Sequence, residues 1–360
     1  MLTSILILSS IVAVNAQQRV QVMDMGGVPI PFVTVTTPEG KFVGLTDIDG
    51  WLDVASSNTT ITLSQVAYKP LTVEVASIKE GKITLEEETY DLPEVVVKPK
   101  ELIYGRTYFR LTYTDDDGPV YYRAGVIDNT YDRTKKKVDA KTSHISKAEI
   151  GLIRFLIDRL SGKFDRFSRL PQVSYYQKIL QMRDEGEITL TDAGNGRQVI
   201  ADDVSPLGYI DWNAEDCTRT VSFDMFRYLK HIKDAKKRAK AEKKGKAYEA
   251  DSTLIIDGTI YQVYRTDSVG NSRVDDFVMS QYTQKGVHRH QGTNYIIQVQ
   301  SFATDYAYID KKEYKQLRKD NKVDMNIQSL RQFEKTNKIP PLAPNIREQI
   351  DKLFVKELGQ

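Results

Sequence analysis

From Arg19 to Val97 apolar and polar positions alternate with a period of two. Val20 and Val22 open the pattern, and Phe32 to Val35 extend its β-branched character. Leu52 and Val54, Ile61 and Leu63, Leu71, Val73 and Val75, then Ile83 and Leu85 repeat it. That period places every second side chain on one face of a strand. Turn-forming residues separate the runs: Asp24 to Gly27, Pro38-Glu39-Gly40, Asp47 to Gly50, Ser56 to Asn58, Lys69-Pro70 and Glu80-Gly81. The spacing predicts about seven short strands in an antiparallel sandwich, with no room for a helix.

Glu86 to Lys100 reads as a connector: an acidic cluster (Glu86, Glu87, Glu88), then Leu92-Pro93-Glu94, Val95-Val96-Val97 and Pro99. Its prolines allow an edge strand and disfavour a central one. Strands resume over 101–140, with Asp115-Asp116-Asp117-Gly118-Pro119 as a turn. Ser146 and Glu149 form a capping box, and Ile150, Ile153, Ile157, Leu160 and Phe164 fall at helical spacing, which predicts a helix over 146–164. Tyr175 to Leu180 begins a second helical piece. Strand patterns fill 186–228 and 252–310, with turns at Gly194-Asn195-Gly196, Asp257-Gly258 and Gly270-Asn271. Helices are expected at Lys311 to Lys319, Ile327 to Glu334, and around Ile346, Ile350, Leu353 and Phe354. No period of solenoid or propeller length is present. The chain therefore reads as α+β: residues 19–98 form a β-sandwich, and 101–360 a mixed domain with a curved antiparallel sheet and helices.

The first residues alter the expected compartment. Leu2 to Val14 is an apolar run of signal-peptide length, too short to span a bilayer, and Val14-Asn15-Ala16 offers the small residues a signal peptidase reads. Residues 1–16 are thus expected to be a signal peptide and the mature chain to be exported, periplasmic or outer-membrane associated. No cysteine near the predicted cleavage site could carry a lipid anchor, and no later run is long enough for a transmembrane helix. Cys217 is the one cysteine, so no internal disulfide is available, and it is expected to be buried and inert. With 20 Tyr and 12 Phe the chain has ample material for packed cores, and a net charge of +2 makes every electrostatic argument a local one.

Three segments carry a family pattern. Gly27-Val28-Pro29-Ile30-Pro31-Phe32-Val33-Thr34-Val35 precedes Gly44-Leu45-Thr46-Asp47-Ile48-Asp49-Gly50-Trp51-Leu52, and Ile61 to Pro70 follows. In that order they resemble the carboxypeptidase regulatory-like domain, a transthyretin-like β-sandwich common at the start of Bacteroidota cell-envelope proteins. Leu92 to Val97 is similar to the connector that follows this domain in TonB-dependent receptors. Gly118 to Asp128 resembles a segment of exported proteins with the same first domain, a family with no settled activity to carry over. The resemblance implies an accessory sandwich without peptidase chemistry. Within it, Thr46 to Gly50 reads as turn chemistry, since Trp51, Leu52 and Val54 stand where a calcium loop needs oxygen ligands.

The remaining candidate chemistry is sparse. None of His144, His231, His288 and His290 sits in a His-Glu-x-x-His pattern. His288 and His290 are the candidate metal pair, two apart as on one strand face, with no third ligand nearby; the plainer reading is two polar-loop histidines. There is no Gly-x-Ser-x-Gly elbow, P-loop or dinucleotide fingerprint, and no cofactor is implied. Carboxylate pairs such as Asp202-Asp203 and Asp275-Asp276 read as surface acids. Asp115 to Asp117 reads as a hairpin tip. Lys230 to Lys246 carries nine Lys/Arg without an apolar face. It is expected to be a solvated excursion, with contact to an anionic surface as its functional alternative and nucleic acid disfavoured. The expectation is a non-enzymatic exported envelope protein, its sandwich an adaptor or binding module for a protein or glycan partner. The alternatives are a hydrolase with a carboxylate site in the second domain, marked by a pocket of convergent Asp/Glu, and a hydrophobic-ligand carrier, marked by an apolar cavity.

Overall fold

The computed structural model describes residues 17–55, 57–88, 90, 100–138, 144–150, 167, 169–171, 174–228, 241–245, 257–265, 274–287, 293–320 and 326–358. The predicted signal peptide, the Leu92 to Val97 connector, His231, His288, His290, Gly270-Asn271 and all of Lys230 to Lys246 except 241–245 lie outside them.

Seven strands open the chain: β1 (Gln17–Met23), β2 (Thr34–Thr36), β3 (Phe42–Leu45), β4 (Trp51–Ala55), β5 (Thr60–Gln65), β6 (Tyr68–Glu74) and β7 (Lys82–Thr84). They pair in two sheets, β4-β1-β7 and β3-β2-β5-β6. Val20, Val22 and Val54 from one sheet share a core with Val35, Ile61 and Leu63 from the other, all without solvent exposure. Each such side chain contributes about 1.5–3 kcal/mol on burial. One expectation is corrected: β7 runs parallel to β1, in the register Val22↔Ile83, so the sheets are not wholly antiparallel. The chain reaches β7 from β6 of the other sheet, so β7 is not a hairpin partner of β1 and is free to run parallel to it.

The turn Asp47 to Gly50 is built by side-chain hydrogen bonding. Asp47 Oδ1 accepts from the N–H of Asp49 (2.9 Å) and of Trp51 (2.8 Å). Gly50 has φ +74, and a Cβ there would meet the Val22 carbonyl at 2.5 Å.

The rest of the chain is organised by an 11-stranded sheet. A hairpin of β8 (Leu102–Asp115) and β9 (Gly118–Asp132) comes first, then β10 (Lys137–Val138) and β11 (His144–Ile150). After helix α1 (Tyr175–Asp184) an antiparallel meander follows: β12 (Thr189–Gly194), β13 (Arg197–Ala201), β14 (Pro206–Asn213), β15 (Thr218–Asp224), β16 (Asp257–Arg265), β17 (Phe277–Val287) and β18 (Asn294–Ile309). β18 pairs with β8 and joins the two parts. Helices α2 (Lys311–Asp320), α3 (Ile327–Thr336) and α4 (Pro344–Leu358) close the chain.

Two expectations fail here for the same reason, a local signal overridden by sheet pairing. Ser146 and Glu149 lie on β11, opposite Val126 and Arg123 of β9, and cap no helix at this point. β9 presents a long open edge, and satisfying its backbone groups outweighs a four-residue cap signature. The rest of the predicted 146–164 helix lies outside the described residues. Asp257-Gly258 opens β16 opposite Lys285 and Gln284 instead of making a turn. Gly258 is there for space, because a Cβ would stand 1.9 Å from the Phe226 ring.

Alternation gives the sheet two unlike faces. Leu111, Tyr113, Ile210, Val221, Phe223, Ile260, Tyr282 and Val299 form one apolar face, covered by Phe167 and by Tyr176 and Ile179 of α1. Ser174 caps α1, its side chain accepting from the Gln177 N–H. The opposite face carries Tyr108, Tyr122, Tyr261, Val263 and Phe302, against which α3, α4 and part of the N-terminal unit pack. There Glu334 accepts from Tyr108 Oη (2.6 Å) and Arg347 Nη2 (2.9 Å).

The N-terminal unit sits on this second face. Asn345 Nδ2 donates to Thr36 Oγ1 (2.9 Å) and to the Thr37 carbonyl (2.8 Å), and Gln298 Nε2 donates to Thr34 Oγ1 (2.8 Å). Val66 and Tyr90 are buried in the same core as the sheet residues. No helix among the described residues is long and apolar enough to cross a membrane.

Candidate functional site

β15 reads Thr218-Arg219-Thr220-Val221-Ser222-Phe223, and alternation sends Val221 and Phe223 into the apolar core. Thr218, Thr220 and Ser222 therefore face the other way, toward the N-terminal unit. Asp211 of β14 is opposite Thr220, and Arg197 of β13 is opposite Asp211. Tyr261 and Val263 of β16 continue this wall, each more than nine-tenths buried. The N-terminal unit supplies the facing wall through Asp24, the Val28 to Pro31 loop, Ala67, Tyr68, Glu87 and Glu88. Between them lies a cleft of about 720 Å³. That volume is in the range of small-molecule and cofactor sites.

Two interactions set the geometry of the sheet wall. Arg197 grips Asp211 with both arms of its guanidinium, Nε to Oδ1 at 2.6 Å and Nη2 to Oδ2 at 3.1 Å. Its charge also lies 4.4 Å from the ring centroid of Tyr209. The pair is fixed and internally neutral, a bidentate arrangement that a lysine could not reproduce. Tyr209 Oη in turn donates to Asp49 Oδ1 at 2.8 Å. Burial first, and this bond second, push the Tyr209 hydroxyl up to about 12.

The acidic groups gather at the junction of the two walls. Partial burial pushes the Glu87 carboxyl up from its ordinary range, and the charges of Asp24 and Asp216 push it further the same way. Asp24 stands on the same wall, its Oδ1 accepting from the Val28 N–H at 2.8 Å. Asp216 belongs to the β14–β15 turn opposite and accepts from Asn213 Nδ2 at 2.9 Å. Burial also raises the Tyr68 hydroxyl, with Tyr261 and Glu87 adding to the effect.

The structure disperses the carboxylate pairs singled out in the sequence. Asp202 Oδ1 accepts from the N–H of Val204 and Ser205, a turn device. Asp275, read as a surface acid in the sequence, is instead buried and accepts from Tyr308 Oη at 2.6 Å. Asp115 accepts from the Asp117 N–H, and Asp116 Oδ2 from the Asn294 N–H. None of these lines the cleft. Cys217, expected to be buried, is exposed beside Asp216, at φ +51 in the β14–β15 turn. The tight turn forces its backbone outward, and burial preference yields to that geometry. Among the described residues no three His, Cys, Asp or Glu side chains are placed to hold a metal ion. His144 is on β11, and the pair His288 and His290 lies outside the described residues.

Sequence reasoning missed Arg197, Asp211, Thr220 and Tyr261. The available signal was the strict polar parity of Thr218, Thr220 and Ser222 against the apolar parity of Val221 and Phe223. A strand with one hydroxyl-lined face and one core face marks a wall that something polar can meet.

No family model matches the chain, and no curated protein matches it. Among solved structures it is similar to a protein of unknown function from the DUF3598 family of Nostoc punctiforme. Identity is 10%, coverage 76% of this chain and 94% of that one, and the TM-score 0.16, a likeness that fixes neither fold nor function.

Proposed function

We propose that this chain is an exported, non-enzymatic cell-envelope protein whose N-terminal unit, a transthyretin-like sandwich, works as a binding module together with the large sheet. The observation that carries this reading is the 720 Å³ cleft with one wall from each unit. Neither unit alone encloses it, so the N-terminal strands serve as half of a binding site. The resemblance to the carboxypeptidase regulatory-like domain supports an accessory role for those strands, and the apolar run Leu2 to Val14 supports export. The same run, taken with the resemblance of the first strands to an envelope-protein domain, supports periplasmic or outer-membrane residence.

The lining argues for a polar ligand. Carboxylates, an Arg–Asp pair and a row of hydroxyls favour hydrogen bonding, where a hydrophobic-ligand carrier needs an apolar wall. One observation favours a second reading, a hydrolase using carboxylates. Burial first, then the charges of Asp24 and Asp216, raise the Glu87 carboxyl, the direction in which a general acid is tuned. Turnover of an oligosaccharide abolished by Glu87→Gln would decide for that reading; binding without turnover decides for the first.

Tryptophan fluorescence tests the site directly. The chain has two Trp, so Trp51→Phe leaves Trp212, a lining residue, as the reporter. Titration with polyamines, basic peptides and neutral oligosaccharides is expected to shift its emission for at least one class. The cleft-filling change Thr220→Phe is expected to abolish the shift. A shift unaffected by Thr220→Phe, or none for any class, counts against the cleft. Fractionation of a tagged copy tests export, and retention in the cytosol with an intact N-terminus would end that part of the proposal.

A further inference from the structure

The inference concerns the ligand's chemistry and rests on the cleft being the binding site. Asp211 is already neutralised by Arg197. Five other carboxylates line the cleft with no ion pair within 4 Å to a described residue: Asp24, Glu87 and Glu88 on one wall, Glu215 and Asp216 on the other. Two of them accept from neutral partners, a backbone N–H for Asp24 and the Asn213 amide for Asp216. The cleft is also lined by Arg265, but with Arg197 and Arg265 set against six carboxylates its lining stays net negative, and a positive charge placed between the walls is attracted to it.

The charge they call for is a spread one. No three ligating side chains converge closely enough to grip a metal ion among the described residues. The volume far exceeds what one ion fills, and the apolar residues Pro29, Ala67, Val263 and Met279 share the lining with the acids. A lining that mixes apolar side chains with carboxylates matches a chain of amino or guanidino groups on an aliphatic stem, whose methylenes meet the apolar residues while its charges meet the acids. We infer that the cleft binds an elongated organic cation of this kind, either a free polyamine or a basic peptide segment.

Calorimetry on the full chain separates the two sources, with spermidine as one probe and trilysine as the other. Maltotriose serves as a neutral comparison. At least one cation is expected to bind, about tenfold more weakly once two or three of its charge contacts are removed in the Asp24→Asn, Glu87→Gln, Asp216→Asn triple variant. Affinity is also expected to fall as salt rises from about 20 mM to about 500 mM, as screening shortens the reach of the walls. The preferred probe names the source. Glu87→Gln alone, with a smaller loss, keeps the test open if the triple variant does not fold. Absence of binding by both cations, or equal binding by wild type and variants, overturns the inference. Maltotriose binding that Thr220→Phe blocks, without cation binding, overturns the cation while leaving the cleft as a ligand site.

Discussion

Tyr209 of β14 donates a 2.8 Å hydrogen bond to Asp49, joining the sheet wall of the cleft to the Asp47 to Gly50 turn of the N-terminal unit. The turn's own bonds from Asp49 and Trp51 to Asp47 hold that acceptor in place. The contact thus links a local turn to the width of the cleft. Tyr209→Phe keeps the ring under Arg197 and removes the bond. It is expected to lower stability by about 0.5–1.5 kcal/mol, read as a lower urea midpoint with an unchanged slope.

Alkaline pH should unfold the protein cooperatively. Tyr122 is pushed up to about 12 by burial and then by the Glu334 charge, and Tyr209 to about 12 as well. Tyr104, Tyr108, Tyr261, Tyr264 and Tyr306 are raised further by burial. In the unfolded chain these hydroxyls ionise near 10, so above that pH the unfolded state has lost protons that the native state keeps. Their contribution is complete below pH about 10 and is lost as pH climbs toward and past 12. Tyrosinate absorbance and near-UV circular dichroism are expected to change together. Ionisation of most tyrosines with an intact dichroism spectrum would contradict the burial described here.

Glu87→Gln should stabilise the free protein slightly. Its native carboxyl is raised, by burial first and then by Asp24 and Asp216, so the native state holds that proton more tightly than the unfolded state. Stability is therefore lost as pH rises from the ordinary carboxyl range through the raised native one, and at neutral pH the ionised group is a cost. Because the side chain is largely exposed, screening limits the gain to about a few tenths of a kcal/mol. A small rise in melting temperature at pH 7, vanishing at pH 4, is the expected record.

Much of the fold is legible from period and turn chemistry, and the exceptions have physical causes. Val20, Val22, Ile61 and Leu63 alternate as the core of the first two sheets requires, and Gly194-Asn195-Gly196 marks the β12–β13 hairpin. Ile346 and Ile350 sit on α4 as their spacing implies. Ser146 and Glu149 mislead because a cap signature is short, while the exposed edge of β9 is long and must be paired. Gly258 misleads because a glycine that ends a strand and one that admits a ring look alike in sequence. The cleft was out of reach for a different reason. Glu87 and Asp216 are 129 positions apart, and only the docking of one unit on the other brings them to one opening.

Glycine at 208 is expected to be irreplaceable where glycine at 186 is not. A Cβ on Gly208 would stand 1.9 Å from the Ser222 carbonyl, a backbone atom of the paired strand that cannot swing away. Gly208→Ala should cost about 1–3 kcal/mol or more by forcing β14 from β15. Gly186 has φ +74 and open space around it, so Gly186→Ala should cost only about 1 kcal/mol of backbone strain. Chemical denaturation of the two variants side by side checks the ranking.

Hydrogen exchange with mass spectrometry is the most direct test of the shared cleft. For any probe that binds, whether trilysine, spermidine or maltotriose, peptides covering 24–31 and 209–222 are predicted to gain protection together, since each belongs to one wall. Protection of one wall alone, or of a surface away from both, would contradict the account.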